Sequence, residues 1–200
     1  MQNKLSVTDN MGKVVSEKEA IEAIRTILQW IGEDPEREGL AETPQRVIES
    51  FKEYFSGYAK DPIQVLKKTF TETSGYQDIV LLKDIEINSH CEHHMAPING
   101  VAHIAYYPND KVIGISKLAR VVDIYSKRLQ IQERLTAEIA HAINLVLKPK
   151  GVAVQLEATH SCINTRGVAQ KDAKMKTYSL LGCFRQDAEI SKRFFQLIKD

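Results

Sequence analysis

Two short segments that combine cysteine with histidine, far apart in the chain, constrain its fold more than any other feature. The first is Ser89-His90-Cys91-Glu92-His93-His94 and the second is Thr159-His160-Ser161-Cys162. Together they contain two of the three cysteines and four of the six histidines. Thiolates and imidazoles are the side chains that bind zinc. We therefore expect the fold to bring two distant segments to one metal ion.

The spacing of these residues suggests which of them bind the metal. Cys91 and His94 are close enough to bind one ion from a single turn, and Cys162 is able to supply a third ligand from a distant strand. Three protein ligands leave the fourth tetrahedral position open, which is typical of catalytic zinc. The alternative is a structural site whose fourth ligand is His90 or His93.

Two histidines lie beside the proposed ligands without being needed as ligands. These are His93 and His160. An imidazole titrates near neutral pH, so it can both give and take a proton in a reaction. We expect acid–base roles for both, and the alternative is that each only orients a metal ligand.

Composition limits the class of protein. The chain has 200 residues, of which 43% are hydrophobic and 26% charged, as in a globular domain with a small appended element. The net charge of +1 gives no reason to expect binding to nucleic acid or to a membrane surface. The first residues lack the apolar core of a signal peptide, and the cysteine count is odd. We therefore expect a cytoplasmic protein whose thiols stay reduced.

The N-terminal part, residues 1–60, is predicted to be an arm followed by a helical appendage. Residues 1–15 show no regular pattern. Ser16 and Glu19 form a capping box ahead of an apolar helical stripe. Thr43-Pro44 predicts the start of a second helix, with Thr43 as its N-cap.

The remaining residues, 61–200, are predicted to form the catalytic domain. Their periodicities indicate strands at 78–88, 100–107, 152–159 and 176–184, and helices at 116–128, 131–147 and 188–198. Strands that follow one another locally favour an α+β fold with an antiparallel sheet. The first two strands are expected to form a hairpin with the Cys91–His94 turn at its junction.

Five motifs occur in the order and spacing of one protein family. They are Gly39–Val47, Cys91-Glu92-His93-His94, Gly114–Arg120, Gln132–Thr136, and His160-Ser161-Cys162 with Arg166-Gly167. Together they closely resemble GTP cyclohydrolase I, the zinc enzyme that opens pteridine biosynthesis, from about residue 20 to the C-terminus. The resemblance implies the tunnelling fold, an antiparallel sheet backed by two helices that oligomerises into a barrel. It also implies a homodecamer whose active sites are built from adjacent subunits.

The resemblance implies a reaction and roles for the cysteines and histidines. GTP would react with water to give formate and 7,8-dihydroneopterin triphosphate, the first step of tetrahydrofolate and pterin biosynthesis. Cys91, His94 and Cys162 match the zinc ligands of the family. His93 and His160 match its acid–base histidines, with His160 protonating the purine nitrogen.

The same resemblance assigns residues to the substrate. Glu133, with Gln132, matches the pair that recognises guanine, and a carboxylate there would accept hydrogen bonds from the amide and amino edge of the base. Several residues match the groups that bind the triphosphate: Ser116, Lys117, Arg120, Arg166 and Arg46. Without the resemblance, the simplest interpretation of Glu133 is a carboxylate that stabilises a helix N-terminus. The simplest interpretation of the basic residues is a solvated surface.

Two other functions remain open at this point. One is the nitrile reductase of queuosine biosynthesis, a relative with the same fold that uses a cysteine nucleophile and a nicotinamide cofactor. The spaced set of Cys91, His94 and Cys162 argues against it. The other is a zinc-stabilised interaction module, which requires four protein ligands and releases no formate from GTP.

Overall fold

The computed structural model describes residues 15–71 and 75–199. The predicted N-terminal arm lies outside the described residues except for Val15. The chain divides into two compact units, one that ends at Ala59 and one that begins at Lys60. No helix among the described residues is both long and apolar enough to cross a membrane.

The first unit contains two helices, α1 (Glu17–Trp30) and α2 (Thr43–Tyr54), followed by a 3-10 turn at Ser56–Ala59. The capping box predicted for α1 is confirmed. The Ser16 hydroxyl accepts a hydrogen bond from the Glu19 N–H at 3.2 Å, and the Glu19 carboxylate accepts one from the Ser16 N–H at 2.8 Å. These bonds satisfy backbone donors that the helix itself leaves free.

The start of α2 differs from the prediction by one residue. Thr43 is the first helical residue and Glu42 is the N-cap, without a side-chain capping bond. The N–H of Thr43 donates to the carbonyl of Leu40 at 2.9 Å. The preceding turn therefore already satisfies this donor, and Pro44 has no N–H that needs a partner.

The second unit contains a five-stranded sheet, a two-stranded ribbon and six helices among its described residues. In chain order the elements are α3 (Pro62–Leu66), β1 (Thr69–Phe70), β2 (Val80–Cys91), β3 (Pro97–Tyr107), β4 (Val112–Ile113), α4 (Ile115–Ser126), β5 (Leu129–Gln130), α5 (Gln132–Leu147), β6 (Gly151–His160), α6 (Ser161–Asn164), β7 (Met175–Gly182), α7 (Cys183–Gln186) and α8 (Ala188–Leu197).

The main sheet has the strand order β5-β2-β3-β6-β7. Its four long strands pair antiparallel, so the predicted α+β class and the β2–β3 hairpin are confirmed. The short strand β5 is an addition that the sequence did not indicate. It runs parallel to the end of β2, where Leu129 pairs with His90 and Gln130 with Cys91.

The two long helices, α4 and α5, pack on one face of the sheet, as predicted. α4 lies on β2, and α5 lies on β6 and β7. Their apolar stripes meet alternate residues of the strands, and together these side chains form the main core: Leu118, Val121, Val122, Leu135, Ile139, Ile143, Ile104, Val154 and Leu156. A second cluster lies on the opposite face, where Phe184 and Phe194 cover Ala105 and Ala153.

The last strand ends earlier than predicted. Gly182 has a φ of +59°, and Cys183 then begins α7 instead of continuing β7. A Cβ on Gly182 would lie 2.8 Å from the Cα of Gly151. Only glycine fits both the backbone conformation and this close approach.

Candidate metal centre and active site

The two segments with cysteine and histidine meet at one end of the main sheet. Cys91 is the last residue of β2, and His160 is the last residue of β6. The strand between them, β3, connects the two because its Ile98 pairs with Ser89 on one side and with His160 on the other. Cys162 follows in α6 and packs in a small apolar cluster with Cys91 and Ile98.

The predicted ligands lie together. One donor atom from each of Cys91, His94 and Cys162 lies within 4.8 Å of the others. In a tetrahedral zinc site, donors at 2.0–2.3 Å from the ion are roughly 3.5 Å apart, so small side-chain rotations close this set around one ion. Two thiolates and one imidazole also suit zinc chemically. The group is therefore able to bind a metal.

The set has three members. Within residues 15–71 and 75–199, no further His, Cys, Asp or Glu joins it. The alternative structural site requires His90 or His93 as a fourth member, and neither belongs to this set. A three-ligand set leaves a coordination position for water or substrate.

The surroundings of Cys162 disfavour its thiolate form. Burial raises the pKa of the Cys162 thiol, and the neighbouring Cys91 raises it further. The guanidinium of Arg166 acts in the opposite direction. A divalent cation between the two sulfur atoms would favour both thiolates far more strongly than this single arginine.

The metal loop, residues 92–96, is held at both ends by backbone hydrogen bonds. The N–H of Cys91 donates to the carbonyl of Ala96, and the N–H of Met95 donates to the carbonyl of Cys91, both at 2.8 Å. Met95 has a φ of +53°, which closes the turn. The N–H of Glu92 donates to Gln130 of β5 at 3.0 Å. The loop is therefore fixed to the sheet on both sides of His94.

Arg134 holds the metal loop from the first turn of α5, and the sequence prediction did not include it. Its Nη2 lies 2.5 Å from Glu92 Oε2 and 3.0 Å from the carbonyl oxygen of Leu129, while its Nε donates to Gln130 Oε1 at 3.1 Å. Gln130 is only 1% exposed. The available sequence signal was weak, because a glutamate between two ligands and an arginine on a helix are both common on surfaces.

His93 lies in the metal loop on the exposed side of the cysteine pair. Its Nδ1 is 3.7 Å from Cys91 Sγ, and its Nε2 is 3.9 Å from Glu92 Oε1. The ring therefore adjoins the metal donors while it remains open to solvent.

His160 is fixed from two sides at the end of β6. Its N–H donates to Asn164 Oδ1 at 2.9 Å, and its Nε2 lies 2.8 Å from Gln132 Oε1. Burial lowers the pKa of the His160 imidazole, and the carboxylate of Glu133 opposes this shift. Glu133 itself is exposed. The structure thus brings together His160 and both residues that were predicted to recognise guanine.

The predicted phosphate-binding residues are placed in three different regions. Ser116, Lys117 and Arg120 lie in the first half of α4, and Arg166 follows α6 close enough to influence Cys162. Arg46 lies on α2 in the first unit, where it forms an ion pair with Glu42. Within the described residues, Arg166 is the one of the five whose charge acts on Cys162.

A search of solved structures finds an archaeosine synthase QueF-Like protein in its apo form. The alignment has a TM-score of 0.45 and 18% sequence identity, and it covers 54% of this chain and 96% of that chain.

Comparison with curated sequences finds proteins named GTP cyclohydrolase 1 in several bacteria. The Pelagibacter ubique protein is 54% identical over 93% of this chain and 92% of its own length. The Maricaulis maris protein is 50% identical over 92% and 90%, and the Brucella suis protein is 50% identical over 98% and 92%. The profile of the GTP cyclohydrolase I family matches residues 20–199. This chain therefore belongs to the GTP cyclohydrolase I family.

Proposed function

We propose that this protein is a zinc-dependent hydrolase that converts GTP and water to formate and 7,8-dihydroneopterin triphosphate. The convergence of Cys91, His94 and Cys162 on one point carries this proposal, because a hydrolysis at the purine ring needs an activated water. Membership of the family and the names of its curated relatives support GTP as the substrate. The product would enter pterin and tetrahydrofolate biosynthesis.

The metal site would supply the water. Zinc bound by two thiolates and an imidazole lowers the pKa of a water ligand toward about 7. The chain contributes the rigidity of the site, since Arg134 and Gln130 hold the metal loop in place. His93 and His94 are exposed, so the guanine ring of GTP would approach the metal from their side of the site.

Proton transfer would fall to the two histidines. Attack of water at carbon 8 of guanine places negative charge on the ring nitrogens, and a proton must reach them as the ring opens. We assign this step to His160, which lies near the proposed guanine-binding carboxylate of Glu133. His93 is exposed beside Cys91 and would exchange protons with solvent during the second hydrolysis and the ribose rearrangement.

The nucleotide would be held at both ends. The Glu133 carboxylate would accept hydrogen bonds from the amide and amino groups of guanine. The triphosphate needs several cations, and we propose Lys117, Arg120 and Arg166 together with the Ser116 hydroxyl at the N-terminus of α4. Arg46 stays a predicted contact of the triphosphate, as the family resemblance implies.

The protein is proposed to be cytoplasmic, because its chemistry requires reduced cysteines. Cys91, Cys162 and Cys183 are all unpaired. A reducing compartment keeps thiols available as metal ligands.

Release of formate from GTP tests the proposal. The purified protein, loaded with one equivalent of zinc, is expected to release formate and to give a fluorescent pterin after oxidation. A strong chelator is expected to abolish both products, and added zinc to restore them. Cys162→Ala is expected to lose at least roughly 1,000-fold in kcat, because the metal loses a thiolate ligand.

Cys183→Ala is the matched control, since Cys183 lies in the second apolar cluster and not among the metal donors. It is expected to retain activity. Full activity of Cys162→Ala, or activity that survives complete removal of the metal, would contradict the proposed zinc site. NADPH consumption with a nitrile substrate would favour the reductase instead.

Substitution of Glu133 tests recognition of guanine. Glu133→Gln replaces a charged acceptor by a neutral amide, so kcat/KM for GTP is expected to fall roughly 10- to 100-fold. Inosine triphosphate lacks the 2-amino group and serves as the comparison substrate. The preference of the wild-type protein for GTP over inosine triphosphate is expected to shrink in the variant. An unchanged preference would show that Glu133 does not contact the base.

We also propose a homo-oligomer, with a decamer as the expected form and active sites shared between subunits. The outer edge of β7 pairs with no strand among the described residues, and β5 covers only the last two residues of β2. Long open edges are usually covered by another chain. The described hydrogen bonds and ion pairs do not link Ser116, Lys117 or Arg120 to the metal donors of the same chain. A neighbouring subunit is therefore proposed to supply this phosphate-binding helix.

Mixing of inactive variants tests the shared site. Cys162→Ala and Lys117→Ala subunits, co-expressed, are expected to recover up to about a quarter of wild-type activity, since that fraction of sites would combine two intact halves. Cys162→Ala mixed with His160→Ala is the control, because both changes affect the same half of the site. Recovery that only equals the sum of the separate activities would show that each site lies within one chain.

A further inference from the structure

Gln132 is buried beside His160, and its side-chain amide lies within hydrogen-bond distance of four groups, on His160, Leu156, Met175 and Thr177. It is the first residue of α5 and is 1% exposed. We infer that Gln132 is a positioning residue that fixes the His160 imidazole in the tautomer with its proton on Nε2, so that protons are exchanged with the substrate at Nδ1. The catalytic meaning of this inference rests on the proposed function of His160.

The orientation of the Gln132 amide follows from its surroundings. Its Nε2 lies 3.3 Å from the carbonyl oxygen of Leu156, 3.0 Å from that of Met175 and 3.1 Å from Thr177 Oγ1. Backbone carbonyl oxygens only accept hydrogen bonds, so the NH₂ group must face them. The amide oxygen therefore faces His160.

Two threonine hydroxyls reinforce this orientation. Thr136 Oγ1 donates its single proton to the backbone carbonyl oxygen of Gln132 at 2.7 Å. Thr136 must then accept in its contact with Thr177 Oγ1 at 2.6 Å, and Thr177 is the donor. With its own proton used in this way, Thr177 can only accept from the Gln132 amide. The contacts of both threonines therefore agree with an NH₂ group that faces Thr177 and an amide oxygen that faces His160.

The tautomer of His160 follows from the amide orientation. Gln132 Oε1 is an acceptor without a proton, and it lies 2.8 Å from His160 Nε2. A hydrogen bond at this distance requires the proton on Nε2. A neutral imidazole has only one ring proton, so Nδ1 carries the lone pair.

This arrangement gives Gln132 a different role from the one that the family resemblance implies. Its amide hydrogen bonds are made within the protein, and its side chain is closed to solvent. A direct contact with guanine would break these bonds. Gln132 therefore acts through His160, while the exposed Glu133 beside it remains the residue that contacts the base.

A double-mutant cycle tests whether Gln132 acts through His160. Gln132→Met removes the acceptor while it keeps a similar volume. We expect kcat for GTP to fall roughly 10- to 100-fold, with KM within about three-fold of wild type and unchanged zinc content. In a His160→Ala background, the same change is expected to cost less than about three-fold. Equal losses in both backgrounds, or a rise in KM at constant kcat, would overturn the inference.

A spectroscopic measurement reads the tautomer directly and needs no substrate. In the zinc-loaded protein with ¹⁵N-labelled histidine, at a pH where the ring is neutral, the His160 signals are identified by comparison with His160→Ala. We expect the Nε2–H pattern in the wild-type protein and a mixture of tautomers in Gln132→Met. An Nδ1–H pattern in the wild-type protein would overturn the inference whether or not the variant folds.

Gln155→Met is the matched control for both experiments. Gln155 is half-buried in β6 and pairs with His103 and Tyr178, on the face of the sheet away from α5. This variant is expected to keep the wild-type tautomer and activity. If wild-type protein releases no formate from GTP, the proposed function fails, while the tautomer measurement still decides the structural part of the inference.

Discussion

The antiparallel register of β3 with both of its neighbours is the constraint on which the site depends. Ile98 pairs with Ser89 on β2 and with His160 on β6, so the ends of two strands that are distant in sequence lie at one end of the sheet. A shift of one residue in either pairing would turn a ligand-bearing segment to the opposite face. The buried apolar alternation of the long strands prevents such a shift, so the hydrophobic core determines where the metal donors lie.

The junction between β5 and α5 organises both halves of the site. The carbonyl of Gln130 and the guanidinium of Arg134 hold the metal loop, whereas the amide of Gln132 holds His160. Glu133 lies between Gln132 and Arg134 in the chain and is exposed. A segment of only a few residues thus contacts the loop that carries two of the proposed metal ligands and the proposed acid–base histidine, and it includes the residue proposed to recognise guanine.

The long elements and the grouping of Cys91, His94 and Cys162 could be predicted from the sequence, whereas the residues that support this group could not. The apolar stripes of α4 and α5 and the strand that leads to His160 follow from periodicity, since each buries one face. β5 has two residues, too few for any pattern. Glutamine is usually a surface residue, so the sequence gives no sign that Gln132 is buried. Its burial results from contacts with β6 and β7, which are distant in the chain. The ion pair of Arg134 with Glu92 likewise depends on tertiary contacts alone.

Zinc X-ray absorption on the purified protein, loaded with one equivalent of metal, tests the central claim most directly. The claim is that Cys91, His94 and Cys162 hold a single ion that keeps one position open. The account predicts two sulfur ligands at about 2.3 Å and two lighter ligands at about 2.0–2.1 Å, of which only one shows the outer-shell scattering of an imidazole. A second imidazole, a third sulfur or a shell without sulfur would contradict it.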